Sequence, residues 1–218
     1  MASSKRRNLH IAGSVQAARE YQAQFKGSPA EEYVRKRGLE VVAERLCLGW
    51  VGSALTGHER LTGRLAIPYM RPAGGEHLVA TVRYRCIADH DCKSHGGDKY
   101  KSVPGDTSRI YNSGSLLRGC DSIVVTEGEL DAMSWEAAGV PAIGYQGTGA
   151  WRPHFNSALE GFPRVWLIAD DDKPGIEAAD KRAAELPNAR VVVLGGGHDS
   201  NSFYMAHGPE KLRERIGL

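Results

Sequence analysis

Three short runs of apolar, largely β-branched residues, each ending in acidic residues, constrain the fold of this chain most. A helix-like sequence follows each run, and this alternation is typical of strands in a parallel sheet. The runs cover residues 122–126, 164–169 and 190–194, and the acids after them are Glu127, Glu129, Asp131, Asp170, Asp171, Asp172 and Asp199. Because the carboxyl ends of parallel strands share one edge of a sheet, where ligands bind, we expect these carboxylates to converge.

The predicted convergence of carboxylates indicates a metal site. Carboxylates gathered without matching cations repel one another unless a hard divalent ion lies among them. Asp170 and Asp172 stand two apart at a strand end, where extended backbone turns both to one side, and Asp171 then faces solvent. Asp131 follows Glu127 by four residues, about one helical turn. The pattern predicts Mg²⁺ or Mn²⁺, although any one acid alone would also suit a helix N-cap.

Composition excludes several classes of protein. With 218 residues the chain can bury the core of one or two domains. No apolar run approaches the ~20 residues of a membrane span, and no apolar segment typical of a signal peptide follows the basic start. Four cysteines do not suggest a disulfide scaffold. A protein of the reducing cytoplasm, without a membrane partner, is therefore expected.

The charge is distributed unevenly along the chain. Residues 1–121 hold 19 Lys and Arg against 12 Asp and Glu, a net charge of +7, and residues 122–218 hold 9 against 14, a net charge of −5. A basic half beside an acidic half suits an enzyme that binds a polyanion with one part and metal with the other. Uneven surface charge without function is the alternative.

The pattern divides the chain into three parts, namely a basic N-terminal segment (1–27), a basic subdomain (28–121) and an α/β domain (122–218). In the second part, Ser28 and Pro29 begin a helix that ends at Gly38, and residues 40–46 form another. Strands are predicted there at 63–69 and 78–86, with a turn at 72–75. In the third part, strands are predicted at 122–126, 141–145, 164–169 and 190–194, and helices at 129–138, 152–160 and 174–186, before terminal helices.

The acidic motifs resemble those of the Toprim domain, which DnaG-type primases, topoisomerases and some nucleases share. Residues 127–132 fit the primase form of the first motif, residues 170–175 resemble the second, and residues 197–201 resemble the third. Ser202 stands where a second acid often occurs in that third motif. The resemblance implies an α/β Toprim fold, with about four mostly parallel strands flanked by helices.

Upstream segments separate primases from other Toprim enzymes. Residues 63–68, 75–85, 99–102 and 109–112 resemble successive segments of the DnaG-type catalytic core, so the likeness covers roughly residues 30–205. It implies a smaller α+β subdomain before the Toprim domain, with basic residues that track the template. The positions assigned to nucleic acid on this basis are Arg83, Arg85, Lys99, Tyr100, Lys101 and Arg109. Tyr100 would stack on a base or pack within its loop.

The resemblance implies a phage-type DNA primase core that makes short RNA primers from NTPs on single-stranded DNA, with two divalent ions. Asp170 and Asp172 become the principal metal ligands, with Asp199 and Asp131 nearby, and Glu127 is either a ligand or the general base. No zinc-binding module precedes the match and no helicase domain follows it, so a replicative helicase or a separate zinc-module protein is the expected partner. The alternatives are a Toprim nuclease and an inactive nucleic-acid-binding accessory protein.

One cluster of soft ligands stands outside these motifs. Cys86, His90, Cys92 and His95 offer four zinc-type ligands within ten residues. The spacing is cramped and matches no known zinc pattern, which favours a loop insertion with free thiols over a zinc site.

Overall fold

The computed structural model describes residues 2–71, 79–95 and 97–218, with no side-chain description for residues 2–12 and Thr148. The chain forms two compact units, Met1–Thr107 and Ser108–Leu218. The sequence pattern predicts the domain boundary later, between residues 121 and 122, where the strand–helix alternation begins. The turn predicted at residues 72–75 lies outside the described residues.

The first unit is built on an antiparallel sheet. Its strand order is β1-β2-β3-β4, and every neighbouring pair is antiparallel. Its elements are α1 (Ala2–Ala23), α2 (Pro29–Arg35), α3 (Glu40–Ala43), β1 (Gly49–Trp50), β2 (Arg64–Met70), β3 (Val79–Cys86) and β4 (Tyr100–Lys101). Helices beside this small antiparallel sheet make the α+β subdomain that the sequence predicts.

Local sequence explains where the first helices begin and end. The Ser28 hydroxyl accepts a hydrogen bond from the backbone N–H of Glu31 and caps α2, and Gly38 ends that region with a φ of 67°. In α1, Val15, Ala17, Ala18 and Tyr21 are buried in the core of the first unit. The basic N-terminal segment therefore contributes to the core. The sequence of this segment shows only weak helical periodicity, because two of these buried residues are small alanines.

The second unit confirms the predicted parallel sheet. Its strand order is β6-β5-β7-β8, and all neighbouring pairs are parallel. Its elements are β5 (Ser122–Thr126), α4 (Glu129–Ala137), β6 (Ala142–Gly144), α5 (His154–Ser157), β7 (Arg164–Ala169), α6 (Lys173–Glu185), β8 (Ala189–Val193) and α7 (Ser200–Glu214).

One helix of this unit differs from its predicted form, because the helix predicted at residues 152–160 is a single turn, α5. Helix α7 is interrupted at Gly208, whose φ is 83°, so a new helical segment begins at Pro209, which agrees with the predicted terminal helices. Of the helices that the structure describes, none is both long and apolar enough to cross a membrane.

A buried carboxylate joins residues 108–121 to this unit. Glu136 on α4 accepts hydrogen bonds from the Asn112 side chain and the Ser115 hydroxyl, and its carboxylate pairs with the Arg118 guanidinium at 2.8 Å. The same carboxylate accepts the backbone N–H of Ala142 at the start of β6. Because one buried acid holds both segments, the region before β5 is part of the second unit.

Candidate functional site

The acidic motifs lie at one edge of the parallel sheet. Strands β5, β7 and β8 are adjacent and run in the same direction, so the residues that follow them lie beyond the same edge. Glu127 follows β5 directly, Asp170 follows β7 directly, and Asp199 follows the glycine loop after β8. The sheet topology thus gathers acids that stand up to 72 residues apart in the chain.

The first motif is shaped by Gly128 and Asp131. A Cβ atom on Gly128, the N-cap residue of α4, would lie 2.7 Å from Oδ2 of Asp131, so any larger residue there would displace this carboxylate. The other oxygen of Asp131, Oδ1, accepts the backbone N–H of Asn201 at 3.3 Å. Asp131 therefore connects the first acidic motif to the start of α7.

The second motif is a tight turn into α6. Oδ1 of Asp172 caps the helix by accepting the backbone N–H of Gly175 at 2.7 Å. A Cβ atom on Gly175 would lie 2.9 Å from the backbone oxygen of Asp170, so the turn requires glycine at this position. One oxygen of Asp172 is thus fixed by the helix, and the carboxylate is oriented by that bond.

The loop after β8 connects the second and third motifs. The Asp171 carboxylate is exposed, as the alternation of side chains in an extended strand predicts. It also accepts the backbone N–H of Gly197 at 2.8 Å, a contact that the sequence did not predict. Asp199 caps α7 by accepting the backbone N–H of Ser202 at 2.7 Å. Asp172 and Asp199 consequently share one arrangement, with a single carboxylate oxygen bonded to a helix N-terminus.

The titration of Asp170 indicates that these acids act on one another. Burial, followed by the negative charges of Asp199 and Asp172, raises the pKa of the half-buried Asp170 carboxyl above its ordinary value. Burial also raises the pKa of the Tyr145 phenol, which Arg182 opposes and the charges of Glu127 and Asp170 reinforce. Asp170 therefore shares a negative field with Asp172 and Asp199, and the charges of Asp170 and Glu127 both reach Tyr145.

The donor set fits a hard divalent cation. All the acids offer carboxylate oxygen, the ligand that Mg²⁺ prefers, and a bound cation would relieve the repulsion of Asp170 by Asp199 and Asp172. In the described part of the chain, three ligand atoms within 4.8 Å of one another occur only at Cys86, His90 and Cys92. The carboxylates at the sheet edge are therefore more widely spaced than the ligands of a single small ion.

Asp170→Asn is expected to stabilise the ion-free protein at neutral pH. A raised pKa means that the folded chain holds the Asp170 proton more tightly than the unfolded chain, where aspartate titrates near 3.9. Folding stability from this group is present at low pH and is lost as the pH rises through the folded-state pKa. Urea unfolding in EDTA between pH 4 and 8 should therefore give a wild-type midpoint that falls relative to the Asn variant.

Asp180→Asn is the matched control, because Asp180 lies exposed on α6. Its midpoint should follow the wild type across the pH range. If the difference between the midpoints of Asp170→Asn and wild type also stays constant across the pH range, the ionised Asp170 carboxylate does not destabilise the folded protein.

An arginine that the sequence analysis missed lies behind the acidic edge. Arg182 on α6 is 7% exposed, and its guanidinium carbon stands 4.6 Å from the Tyr145 ring centroid and 5.3 Å from that of Trp151. Gly175, Ala179 and Arg182 are the buried residues of α6 and lie at helical spacing. The sequence did contain a signal for this residue, because the helical spacing places Arg182 on the same face of α6 as Gly175 and Ala179.

The basic residues of the first unit divide into buried and exposed groups. Arg85 on β3 is 8% exposed, and its guanidinium donates to the hydroxyls of Tyr33 and Tyr100. The Arg83 guanidinium carbon lies 4.3 Å from the Tyr100 ring centroid, so both arginines hold this tyrosine. Lys99 is exposed and Lys101 is half-buried. Arg109, also half-buried, belongs to the second unit.

Comparisons with known proteins agree with this architecture. A family model described as Toprim-like matches residues 124–204. Gene 57 protein of Mycobacterium phage D29 is 41% identical over 155 residues, which cover 71% of this chain and 98% of that protein. A DNA primase of Listeria monocytogenes is 34% identical over 134 residues, which cover 54% of this chain and 21% of the primase.

Solved structures show the same fold. The RNA polymerase domain of Mycobacterium tuberculosis primase DnaG, in complex with a double-stranded DNA oligomer with a 6-nucleotide overhang, superposes with a TM-score of 0.74. The sequences are 20% identical, and the match covers 96% of this chain and 80% of that domain. The chain therefore belongs to one family with Gene 57 protein of Mycobacterium phage D29 and has the fold of a Toprim-containing, DnaG-type primase catalytic core.

Proposed function

We propose that this chain is a metal-dependent nucleotidyltransferase that synthesises short RNA primers from NTPs on single-stranded DNA. The observation that carries the proposal is the placement of Glu127, Asp170 and Asp199 beyond one edge of a Toprim-type parallel sheet, and the charges of Asp199 and Asp172, together with burial, raise the pKa of Asp170 there. Phosphoryl transfer depends on positioning and charge neutralisation more than on covalent chemistry. An edge with several carboxylates suits that requirement.

The residues that would hold Mg²⁺ or Mn²⁺ are Asp170, Asp172, Asp199, Glu127 and Asp131. When bound, divalent ions favour deprotonation of the primer 3′-hydroxyl and neutralise the triphosphate. Asp172 and Asp199 keep one oxygen on a helix N-terminus, which orients each carboxylate without consuming both oxygens. Asp131 is similarly oriented by the Asn201 N–H. These hydrogen bonds orient each carboxylate before an ion binds, and the acids would still have to move closer together for three of them to bind one ion.

The first unit supports the proposal of a polymerase over a nuclease. Its β2–β3–β4 sheet lies within the region that matches the primase RNA polymerase domain, and it carries Lys99 and Lys101 around Tyr100. Lysines bind the phosphates of a single strand with little preference for base, as a template reader requires. The relative in the superposition was solved with DNA, and by analogy we assign single-stranded template to this chain.

Replacing Lys99 and Lys101 with Ala is expected to weaken single-strand binding and to flatten its salt dependence. Each lost phosphate contact lowers the slope of log K against log salt by about 0.7 for single strands, so the double variant should lose about 1.4. Fluorescence anisotropy with a labelled oligonucleotide at several salt concentrations measures this slope. Arg85 is a poorer probe, because its removal would also disturb Tyr33 and Tyr100.

Lys36→Ala is the control for this measurement. The Lys36 ammonium on the surface of the same unit already pairs with Glu32 at 3.1 Å. Its variant should keep the wild-type slope. An unchanged slope in the Lys99 and Lys101 variant would remove these residues from the template surface.

The direct test combines two assays with Mn²⁺, NTPs and single-stranded DNA. The first looks for labelled RNA made without a primer, and the second measures elongation of an annealed RNA primer, which needs no initiation site. The proposal predicts elongation that stops when EDTA is added. Shortened DNA without any labelled RNA would indicate a Toprim nuclease, and no metal-dependent change in either strand would indicate an accessory protein.

A further inference from the structure

Three soft ligands converge on the loop that follows β3 in the first unit. Sγ of Cys86 and Nε2 of His90 lie 3.5 Å apart, and a ligand atom of Cys92 lies within 4.8 Å of both. Cys86 and Cys92 are half-buried, and His90 is exposed. The cluster belongs to the first unit, whereas the acidic edge belongs to the second.

The spacing of these atoms is that of tetrahedral zinc ligands. Zinc–sulfur bonds of about 2.3 Å and zinc–nitrogen bonds of about 2.0 Å put tetrahedral sulfur and nitrogen ligands about 3.5 Å apart. The Cys86–His90 separation of 3.5 Å already equals this edge. Cys92 lies within 4.8 Å of both ligands, and His95, which is outside this group, would have to move closer to complete a tetrahedron. The spacing that is cramped in the sequence is therefore compatible with zinc in three dimensions.

The backbone holds both ends of this loop. Cys86 is the last residue of β3, and its N–H donates to the Lys99 carbonyl at 2.8 Å. The Cys92 carbonyl accepts the Gly97 N–H at 2.8 Å. On the other side, the buried Arg64 guanidinium donates to the Asp98 carbonyl at 3.0 Å. The ligands are thus presented from an anchored strand end and a closed turn.

His95 is suited to the fourth position. Its ring centroid lies 4.6 Å from that of His90, and Nδ1 lies 2.9 Å from the Asp91 carbonyl oxygen. A carbonyl can only accept, so Nδ1 carries the proton and Nε2 is the nitrogen available to a metal. A zinc-binding histidine is commonly oriented in this way by a carbonyl on its other nitrogen.

We propose that Cys86, His90 and Cys92 bind a structural zinc ion, with His95 as the fourth ligand. Two thiolates and two neutral imidazoles balance the charge of Zn²⁺ and match its preference for sulfur and nitrogen. The ion would tie the β3–β4 connection together just before Lys99, Tyr100 and Lys101. A zinc ion at this position would not depend on nucleotidyl transfer, so the test measures the metal content of the protein and not its activity.

The test measures zinc in the full chain, purified under reducing conditions with zinc present and then passed through a desalting column. Wild type should retain about one zinc per chain, and Cys92→Ser and His90→Ala should each lower the zinc affinity at least tenfold in a chelator competition. Cys120→Ser is the matched control, because Cys120 is a free cysteine of the second unit. It should retain zinc as wild type does.

A second measurement avoids the risk that a variant fails to fold. Cobalt added to wild-type protein should give the absorption of a tetrahedral thiolate complex, and zinc should displace it. Three results would overturn the proposal. These are no retained zinc and no cobalt complex, zinc content unchanged in both ligand variants, or a Cys86–Cys92 disulfide in freshly reduced and repurified protein.

Discussion

Asp170→Asn is expected to lower the rate of RNA primer elongation by about a hundredfold to a thousandfold. The substitution preserves size but removes the half-buried charge on which Asp172 and Asp199 act. Losing one preorganised electrostatic group at a reacting centre typically costs this much. Single-turnover elongation at saturating template, measured over a titration of Mn²⁺, should show both a lower maximal rate and a higher metal requirement.

Asp171→Asn is the control from the adjacent position. Its side chain is exposed and accepts the Gly197 N–H, a bond that the amide oxygen of asparagine can still accept. The variant should elongate primers within about threefold of wild type, because surface changes that keep their hydrogen bond have small effects. Equal losses in the two variants would mean that loop structure, and not the Asp170 charge, supports the activity.

Glu136→Ala is expected to destabilise the second unit by about 2–4 kcal/mol, because it removes a buried carboxylate that accepts hydrogen bonds from Asn112, Ser115, Arg118 and Ala142. The side chain of Glu136 is 1% exposed and lies opposite Arg118 at 2.8 Å. Its loss removes an acceptor shared by the Asn112 amide, the Ser115 hydroxyl and the Ala142 N–H, and loosens the segment before β5. Thermal unfolding should shift downwards by roughly 10 °C.

Glu177→Ala provides the comparison for that shift. Glu177 forms an exposed pair with Lys173 at 3.7 Å on α6, and such pairs contribute about 0.3–0.5 kcal/mol. Its melting temperature should therefore change by at most about 2 °C. Similar small shifts in the two variants would show that the Glu136 network does not hold residues 108–121 in place.

The parallel sheet was predictable because its signals are local. The runs that became β5 and β7 are apolar, short and followed by acids, and their predicted bounds equal those in the structure. The cap of α4 by Gly128 and the end at Gly139, with a φ of 81°, follow from glycine at helix termini. The length of helix α5 was overestimated, because the apolar pattern near residues 152–160 also suits a packed loop.

Contacts between distant residues had no such local signal. The resemblance to primase cores assigned Arg85 to nucleic acid, and its burial between the hydroxyls of Tyr33 and Tyr100 arises from tertiary packing that the sequence did not predict. Cys86 and His90 are only four residues apart, but their 3.5 Å approach depends on how an irregular loop folds, and that loop has no periodic pattern in the sequence.

Apolar periodicity and the positions of glycines were enough to predict the order of strands and helices along the chain and the acidic residues at the strand ends. These signals are local, because a run or an alternation of apolar residues involves only neighbours in sequence. Packing in three dimensions set which carboxylate oxygen meets which N–H, which arginine is buried and which thiol meets which imidazole. Some of these pairings, such as Asp131 with Asn201 and Arg85 with Tyr33, join residues far apart in the chain, and only the folded core brings them together.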